Sequence, residues 1–268
     1  MRILNGSDLA GFIKERQVHQ VRGLIQAHNV RPKLAIVQTN RLPVIDAYIR
    51  LKKAYGADIQ VEVEAHVISQ AEALDTIQKL NADPSVHGII VQLPLENPAE
   101  TDALVNAVAP EKDVDGLGQR SVFDPATPTA VQWLLAGFNI ELRQKRIGIV
   151  GLGRLVGAPL ARVFKESGLD VETADKQVED LGAMTRRADI LITATGQPGL
   201  IRSDMIKPNA VVVDAGVATD AGKIVGDLAV DVRNRGDLTI TPEKGGVGPL
   251  TVCALFENVI QAARRTAE

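Results

Sequence analysis

Three glycines, Gly151, Gly153 and Gly157, punctuate the stretch IVGLGRLVGAPLARVF at residues 149–164. An apolar strand, 146–150, runs into this turn, and the turn runs into a helical pattern at 156–167. Glycines in such a turn let backbone approach a pyrophosphate, while the helix N-terminus offers free N–H groups and a positive dipole end. The chemistry expected is dinucleotide binding, with Gly151, Gly153, Arg154, Val156 and Gly157 forming the cradle. Asp175, 24 residues after Gly151 at the end of the next strand, is placed to accept a hydrogen bond from the adenine ribose 2′-OH. That acid favours NAD, since its charge repels the 2′-phosphate of NADP. Arg154 and Lys176 lie close by in the sequence and could answer the repulsion, so NADP stays open. A tight turn without a ligand is the plain reading of the glycines alone; strand, turn, helix and acid together argue for the nucleotide.

Four further stretches carry reactive types. AYIRLKK (47–53) puts Tyr48 and Lys52 four residues apart on one helical face, where they can converge on one ligand. VHGIIVQLPL (86–95) reads as a buried strand ending in the polar Gln92. PEKDVDG (110–116) is a charged loop, and KGGVGPLT (244–251) is a second glycine-rich loop opening the last helix. Taken singly, each has a structural reading: a half-buried tyrosine beside a snorkelling lysine, a strand-end glutamine, an aspartate forming a turn beside Gly116. Lys112 and Asp113 read as a loop ion pair or a loop-to-backbone anchor. Four scattered histidines offer no metal cluster.

These residues need a scaffold, and the chain supplies one by pattern. Strand-length apolar runs at 33–40, 61–68 and 88–95 alternate with helical spacing at 47–59 and 69–83. Ser69 and Glu72 have the capping-box spacing at the start of the second helix. A Pro-, Gly- and Asp-rich stretch near 110–130 marks a boundary, followed by a helix at 130–140. Beyond it, strands at 146–150, 169–174, 189–195 and 210–216 alternate with helices near 156–167 and 178–187. The fold class expected is α/β: two α/β domains flanking a cleft, the C-terminal one Rossmann-like with a parallel sheet. Residues 1–120 form the first domain, with a terminal helix at 249–268 packing back on it; residues 121–248 form the second. The net charge of −3 and 3% aromatic content give no nucleic-acid footprint. No apolar run has bilayer length, the first residues lack a signal-peptide core, and the single cysteine fits a reducing compartment, so the expected setting is cytoplasmic with no membrane partner.

Read in order, LNADPSVHGIIVQLPL, PEKDVDG and GGVGPLT make the chain resemble the bifunctional methylenetetrahydrofolate dehydrogenase/methenyltetrahydrofolate cyclohydrolase family over nearly its whole length. That resemblance implies oxidation of 5,10-methylenetetrahydrofolate to the methenyl form with NAD or NADP, then hydrolysis to 10-formyltetrahydrofolate. It also implies a homodimer and no metal. The family's catalytic lysine falls on Lys52, its motif tyrosine on Tyr48, its strand-end glutamine on Gln92, and its folate-anchoring aspartate on Asp115. The second glycine loop, with Gly246 and Pro249, is implied to approach folate or nicotinamide.

The chain departs from the family in places. Gly151–Leu152–Gly153 stands where Gly-Arg-Ser is usual, and Asp175–Lys176 replaces His-Ser, which tips the expectation toward NAD. Ile45 replaces a serine three residues before the tyrosine, Lys244 a proline, and PATPTA the usual Cys-Thr-Pro segment. The alternatives are a monofunctional NAD-dependent dehydrogenase and a non-catalytic folate- or nucleotide-binding paralogue.

Overall fold

The computed structural model describes residues 1–220 and 223–267, and only the backbone at 219, 220, 223 and 224. In chain order the elements are β1 (Arg2–Ile3), α1 (Gly6–His28), β2 (Lys33–Gln38), α2 (Pro43–Asp58), β3 (Glu62–Val67), α3 (Ala73–Ala82), β4 (Gly88–Val91) and α4 (Thr101–Ala107). They continue as α5 (Ala126–Gly137), β5 (Arg146–Val150), α6 (Gly157–Glu166), β6 (Asp170–Ala174), α7 (Leu181–Arg187), β7 (Ile190–Thr193) and β8 (Val211–Asp214). Last come β9 (Ala218–Asp220), β10 (Lys223–Val225), β11 (Thr239–Ile240) and α8 (Val247–Arg265). The chain divides into two compact units: Met1–Ala10 with Thr127–Thr251, and Gly11–Ala126 with Val252–Glu268.

The unit built on residues 11–126 and 252–268 holds a parallel three-stranded sheet in the order β3-β2-β4. Its centre is a continuous apolar run, Leu34 to Val37, with no exposed surface, as a parallel strand covered on both faces requires. Ala35 and Val37 join Ile77, Leu80, Leu104 and Val105 of α3 and α4 in one core cluster. On the other side, a methyl group on Gly56 of α2 would meet Val63 at 2.4 Å and Phe256 at 3.3 Å. The glycine thus lets α2 and α8 close over β3. Tyr55 packs its ring 5.0 Å from Phe256, and its hydroxyl donates to Gln17 Oε1 at 2.7 Å; Gln17 in turn donates to the Cys253 carbonyl at 2.8 Å. These bonds tie α1, α2 and α8 where their apolar faces meet. Glu72 accepts from both the backbone N and the Oγ of Ser69, so the expected cap forms, on a short 3-10 turn leading into α3.

The other unit holds a six-stranded sheet, all parallel, in the order β1-β11-β8-β7-β5-β6, and an antiparallel hairpin of β9 and β10. Strand order reverses beside β5, with β6 on one side and β7 on the other, which makes the carboxyl ends of β5 and β7 the switch point of the sheet. β5 is buried from Ile147 to Val150. The N-terminal strand departs from the domain boundaries expected from the sequence. β1 pairs with β11, Arg2 opposite Thr239 and Ile3 opposite Ile240, and so belongs to this sheet rather than to the first domain. Leu4, fully buried, donates its N–H to the Ile240 carbonyl at 2.8 Å, and Arg2 donates to the Phe138 carbonyl at 2.7 Å. Pairing these backbone groups at the sheet edge is the physical reason for the exchange.

Candidate active site

α2 begins on Pro43, whose fixed φ suits a first helical turn, and it buries Ile45, Ile49 and Gly56 on one stripe. The Gln38 amide steadies its entry, donating to the Asn40 carbonyl at 2.9 Å and to Asp46 Oδ1 at 2.7 Å. Tyr48 and Lys52 lie one turn apart on the flank of that stripe. Gln92 follows β4, its backbone N–H held by the Val37 carbonyl at 2.9 Å and its side-chain amide donating to the Leu93 carbonyl at 3.0 Å. Its Oε1 thereby faces Lys52, whose Nζ donates to it at 2.8 Å.

The third member arrives from the charged loop. Lys112 Nζ donates to the carbonyls of Leu80 at 3.1 Å, Asn81 at 2.9 Å and Asp83 at 2.6 Å, which end α3; a cation there also suits the helix dipole. The Asp113 carboxylate, 4% exposed, accepts from Gly118 N at 2.7 Å, and Ile89 N of β4 donates to the Lys112 carbonyl at 2.7 Å. Of the two arrangements open from the sequence, the structure has the loop-to-backbone anchor. Gly116 takes φ 70°, turning the chain after Asp115. Asp115 is thus held between two anchors and couples electrostatically to Lys52.

Burial sets the protonation of this group. Close protein surroundings push the Lys52 ammonium below its ordinary pKa, and the nearby Asp115 charge opposes the fall. Burial also raises the Asp115 carboxyl, against the Lys52 charge and with help from Asp113. The Tyr48 hydroxyl is raised by burial. An amine poised below its usual range, with its N–H directed at an amide oxygen, can exchange a proton with a bound substrate.

In the other unit, Gly151 leaves β5 with φ 90°, and its N–H is held by the Ala174 carbonyl at 2.8 Å. A methyl group on Gly157 would sit 1.7 Å from the Gly151 carbonyl oxygen, whereas one on Gly153 would meet nothing within 4 Å. The turn is therefore packed tight where strand meets helix and open at its tip, which suits backbone approach by a pyrophosphate. Arg154 is exposed and Val156 half-buried at the entry to α6. Asp175, exposed, is the first residue after β6; its Oδ1 accepts from Gln177 N at 2.8 Å, and Lys176 follows it on the surface. Gly246 and Pro249 lie in this unit too. Gly245 takes φ 82° and accepts from Ser7 N at 3.0 Å, while Gly246 is buried, its carbonyl filling the space a side chain on Gly6 would need.

The structure thus gathers Tyr48, Lys52, Gln92 and Asp115 in one unit, and Gly151, Gly153, Arg154, Val156, Gly157, Asp175 and Lys176 around the switch point of the other. The Gln38–Asp46 clamp lies outside the residues expected from the sequence; a glutamine at a strand end and an acid in a helix's first turn are its signal there. Among the described residues no three acidic, histidine or cysteine side chains group to hold a metal, and no helix is long and apolar enough to cross a membrane.

A glycine turn at the switch point of a parallel sheet, with a lysine–glutamine–aspartate group on a second α/β unit, defines an NAD(P)-linked α/β enzyme. Comparison with known proteins narrows this. Residues 4–115 match the model of the tetrahydrofolate dehydrogenase/cyclohydrolase catalytic domain, and residues 125–267 that of its NAD(P)-binding domain. A relative from Bordetella bronchiseptica, bifunctional protein FolD, is 38% identical over 280 residues, covering 99% of each chain. The crystal structure of the bifunctional FolD methylenetetrahydrofolate dehydrogenase/cyclohydrolase from Campylobacter jejuni superposes with a TM-score of 0.92 at 33% identity, covering 99% of each chain. That of the Trypanosoma brucei enzyme, complexed with NADP and inhibitor, gives 0.91 at 29% identity, covering 98% of this chain and 97% of its own. The chain belongs to the tetrahydrofolate dehydrogenase/cyclohydrolase family.

Proposed function

We propose that this chain oxidises 5,10-methylenetetrahydrofolate to the 5,10-methenyl form with NAD(P), and hydrolyses that product to 10-formyltetrahydrofolate, with Lys52 serving the hydrolysis. The observation that carries the assignment of Lys52 is its 2.8 Å hydrogen bond to Gln92 in surroundings that lower its pKa. The nicotinamide, when bound, supplies a hydride acceptor. The substrate's loss of hydride leaves a delocalised methenyl cation, so the protein supplies position rather than a strong base for that step.

Hydrolysis needs proton traffic. Water adds to the methenyl carbon and loses one proton; the adduct's hydroxyl loses a second as the C–N5 bond breaks, and N5 takes one up. One proton is released overall. Lys52 accepts from the adduct and returns the proton toward N5, its lone pair aimed by the bond to Gln92. Tyr48 packs on the aminobenzoate ring and orients Lys52. Asp115 accepts from the 2-amino and N3–H groups of the pterin, a pairing that suits a carboxylate. Gly246 and Pro249 offer close backbone approach to folate or nicotinamide.

For the dinucleotide, the reading favours NAD. Asp175 stands at the end of β6 with one carboxylate oxygen engaged in a local turn, and its charge disfavours a 2′-phosphate. Dimeric assembly belongs to the same reading and rests on the family resemblance; a cytoplasmic setting rests on the single cysteine and the lack of an apolar run of bilayer length.

The test is the purified protein with methylenetetrahydrofolate and each dinucleotide, followed for methenyl formation and decay. Reduction of NAD with accelerated methenyl decay is expected. No reduction of either dinucleotide overturns the dehydrogenase reading, and reduction without accelerated decay leaves a monofunctional enzyme, which the apolar, buried Ile45 would then explain.

A further inference from the structure

Two buried aspartates outside the motifs interlock behind the switch point. Asp227, with no exposed surface, accepts from the Thr193 hydroxyl and from Thr195 N at 2.7 Å on Oδ2, and from Gln197 N at 3.0 Å on Oδ1. Its own N–H donates to Asp214 Oδ1 at 3.0 Å, and Leu228 N donates to Asp214 Oδ2 at 3.2 Å. Gly216 N closes the set on Asp214 Oδ1 at 3.1 Å, with Arg233 3.5 Å from Oδ2. The packing is reciprocal: a methyl group on Gly216 would lie 2.2 Å from Asp227 Cγ, and one on Gly226 would lie 2.1 Å from Asp214 Oδ2.

What the pair shapes is the loop after β7. Ala194 N donates to the Val150 carbonyl at 2.8 Å, and a methyl group on Gly151 would come within 2.6 Å of the Ala194 carbonyl oxygen. Ala194 and Thr195 therefore lie directly against the first glycine of the turn after β5, and Asp227 supplies acceptors for the N–H groups of Thr195 and Gln197. A loop with Gly196 at φ 65° has no regular ladder to fix it; this carboxylate substitutes for one.

We propose that Asp227 is a positioning residue for the dinucleotide, holding loop 194–197 in the shape that completes the cradle opposite Gly151. The inference rests on the proposed dehydrogenase activity. In the whole protein, Asp227→Asn turns one acceptor into a donor facing an N–H, and is expected to raise the KM for the dinucleotide about tenfold while kcat changes less than about threefold. Hydrolysis of methenyltetrahydrofolate measured without dinucleotide should stay within about twofold, since a hydrogen bond lost here touches only the other unit's cradle. Parallel loss of both activities would mean that Asp227 only stabilises the fold and overturns the proposal, as would unchanged dinucleotide constants. Thr193→Val removes one donor with little change of shape; it should raise the same KM alone and add nothing in the Asp227→Asn background, and full additivity counts against the proposal. If Asp227→Asn does not fold, Thr193→Val alone decides. Should the wild type reduce neither dinucleotide, the dehydrogenase reading fails separately. Direct titration of NAD and NADP onto both variants then decides, unchanged affinity overturning the proposal.

Discussion

The Lys52 ammonium donates to Gln92 Oε1 at 2.8 Å, bridging one turn of α2 and the end of β4. An amide oxygen can only accept, so the bond persists when Lys52 loses its proton, and it leaves the freed lone pair pointing elsewhere in a fixed direction. Lys52→Met keeps the aliphatic bulk and removes the amine. Hydrolysis of methenyltetrahydrofolate should then fall by about 10²–10⁴-fold, the range of general acid–base catalysis, while folate still binds in a direct titration. Unchanged hydrolysis would refute the assignment of Lys52.

Asp115 and Lys52 act on each other's protons, and the sign of that coupling is testable. The carboxylate charge favours protonated Lys52 and so opposes the fall that burial imposes. Asp115→Asn removes the opposition, and the Lys52 pKa drops further. The rising limb of kcat for hydrolysis, measured at saturating folate, should move to lower pH. A limb that stays in place, or moves up, would show that the two groups do not communicate.

Asp113 carries a structural prediction. Asp113→Ala strips the half-buried Gly118 N of its acceptor, which costs up to about 1–3 kcal/mol of stability, the penalty for an unsatisfied donor. Urea unfolding measures this. Because Asp115 lies two residues on, folate affinity should fall alongside, even at temperatures where the variant is fully folded.

The proposed preference for NAD is tested at Asp175. Asp175→Ser removes the charge at the end of β6, and the ratio of kcat/KM for NAD over NADP should decrease. An unaltered ratio would mean that the acid does not meet the ribose.

Much of this molecule is visible in its sequence because the determinants are local. The apolar run at Leu34–Val37, the cap at Ser69 and Glu72, and the glycines at 151 and 157 each act over a few residues, and the structure has the buried strand, the cap and the tight strand-to-helix turn. α2 starts at Pro43, ahead of the residue 47 expected, since a proline in the first turn extends a helix backward without a lost bond. What could not be read is held by distant partners. The first residues do read as a short strand before a helix, but nothing in β1 points to its partners Thr239 and Ile240 in the other unit. Asp214 at a strand end and Asp227 in a loop resemble ordinary surface acids until glycines 226 and 216 are seen to leave room for their carboxylates. Lys112 and Asp113 sit next to each other, so an ion pair was as reasonable as the separate backbone anchors they form.

The pairing of β1 with β11 bears on how this polypeptide is made. During translation the first strand leaves the ribosome more than two hundred residues before its neighbour at 239–240 exists. The other unit waits as well, because Phe256 and Asn258 of α8, which pack on Tyr55 and hold the Val114 carbonyl, are made only after the intervening stretch Thr127–Thr251. Neither unit can finish until both of its segments have been made, and a chain halted earlier bares apolar sheet face to whatever is nearby. Both units therefore gain their last segments within one short stretch of the chain, from β11 into α8.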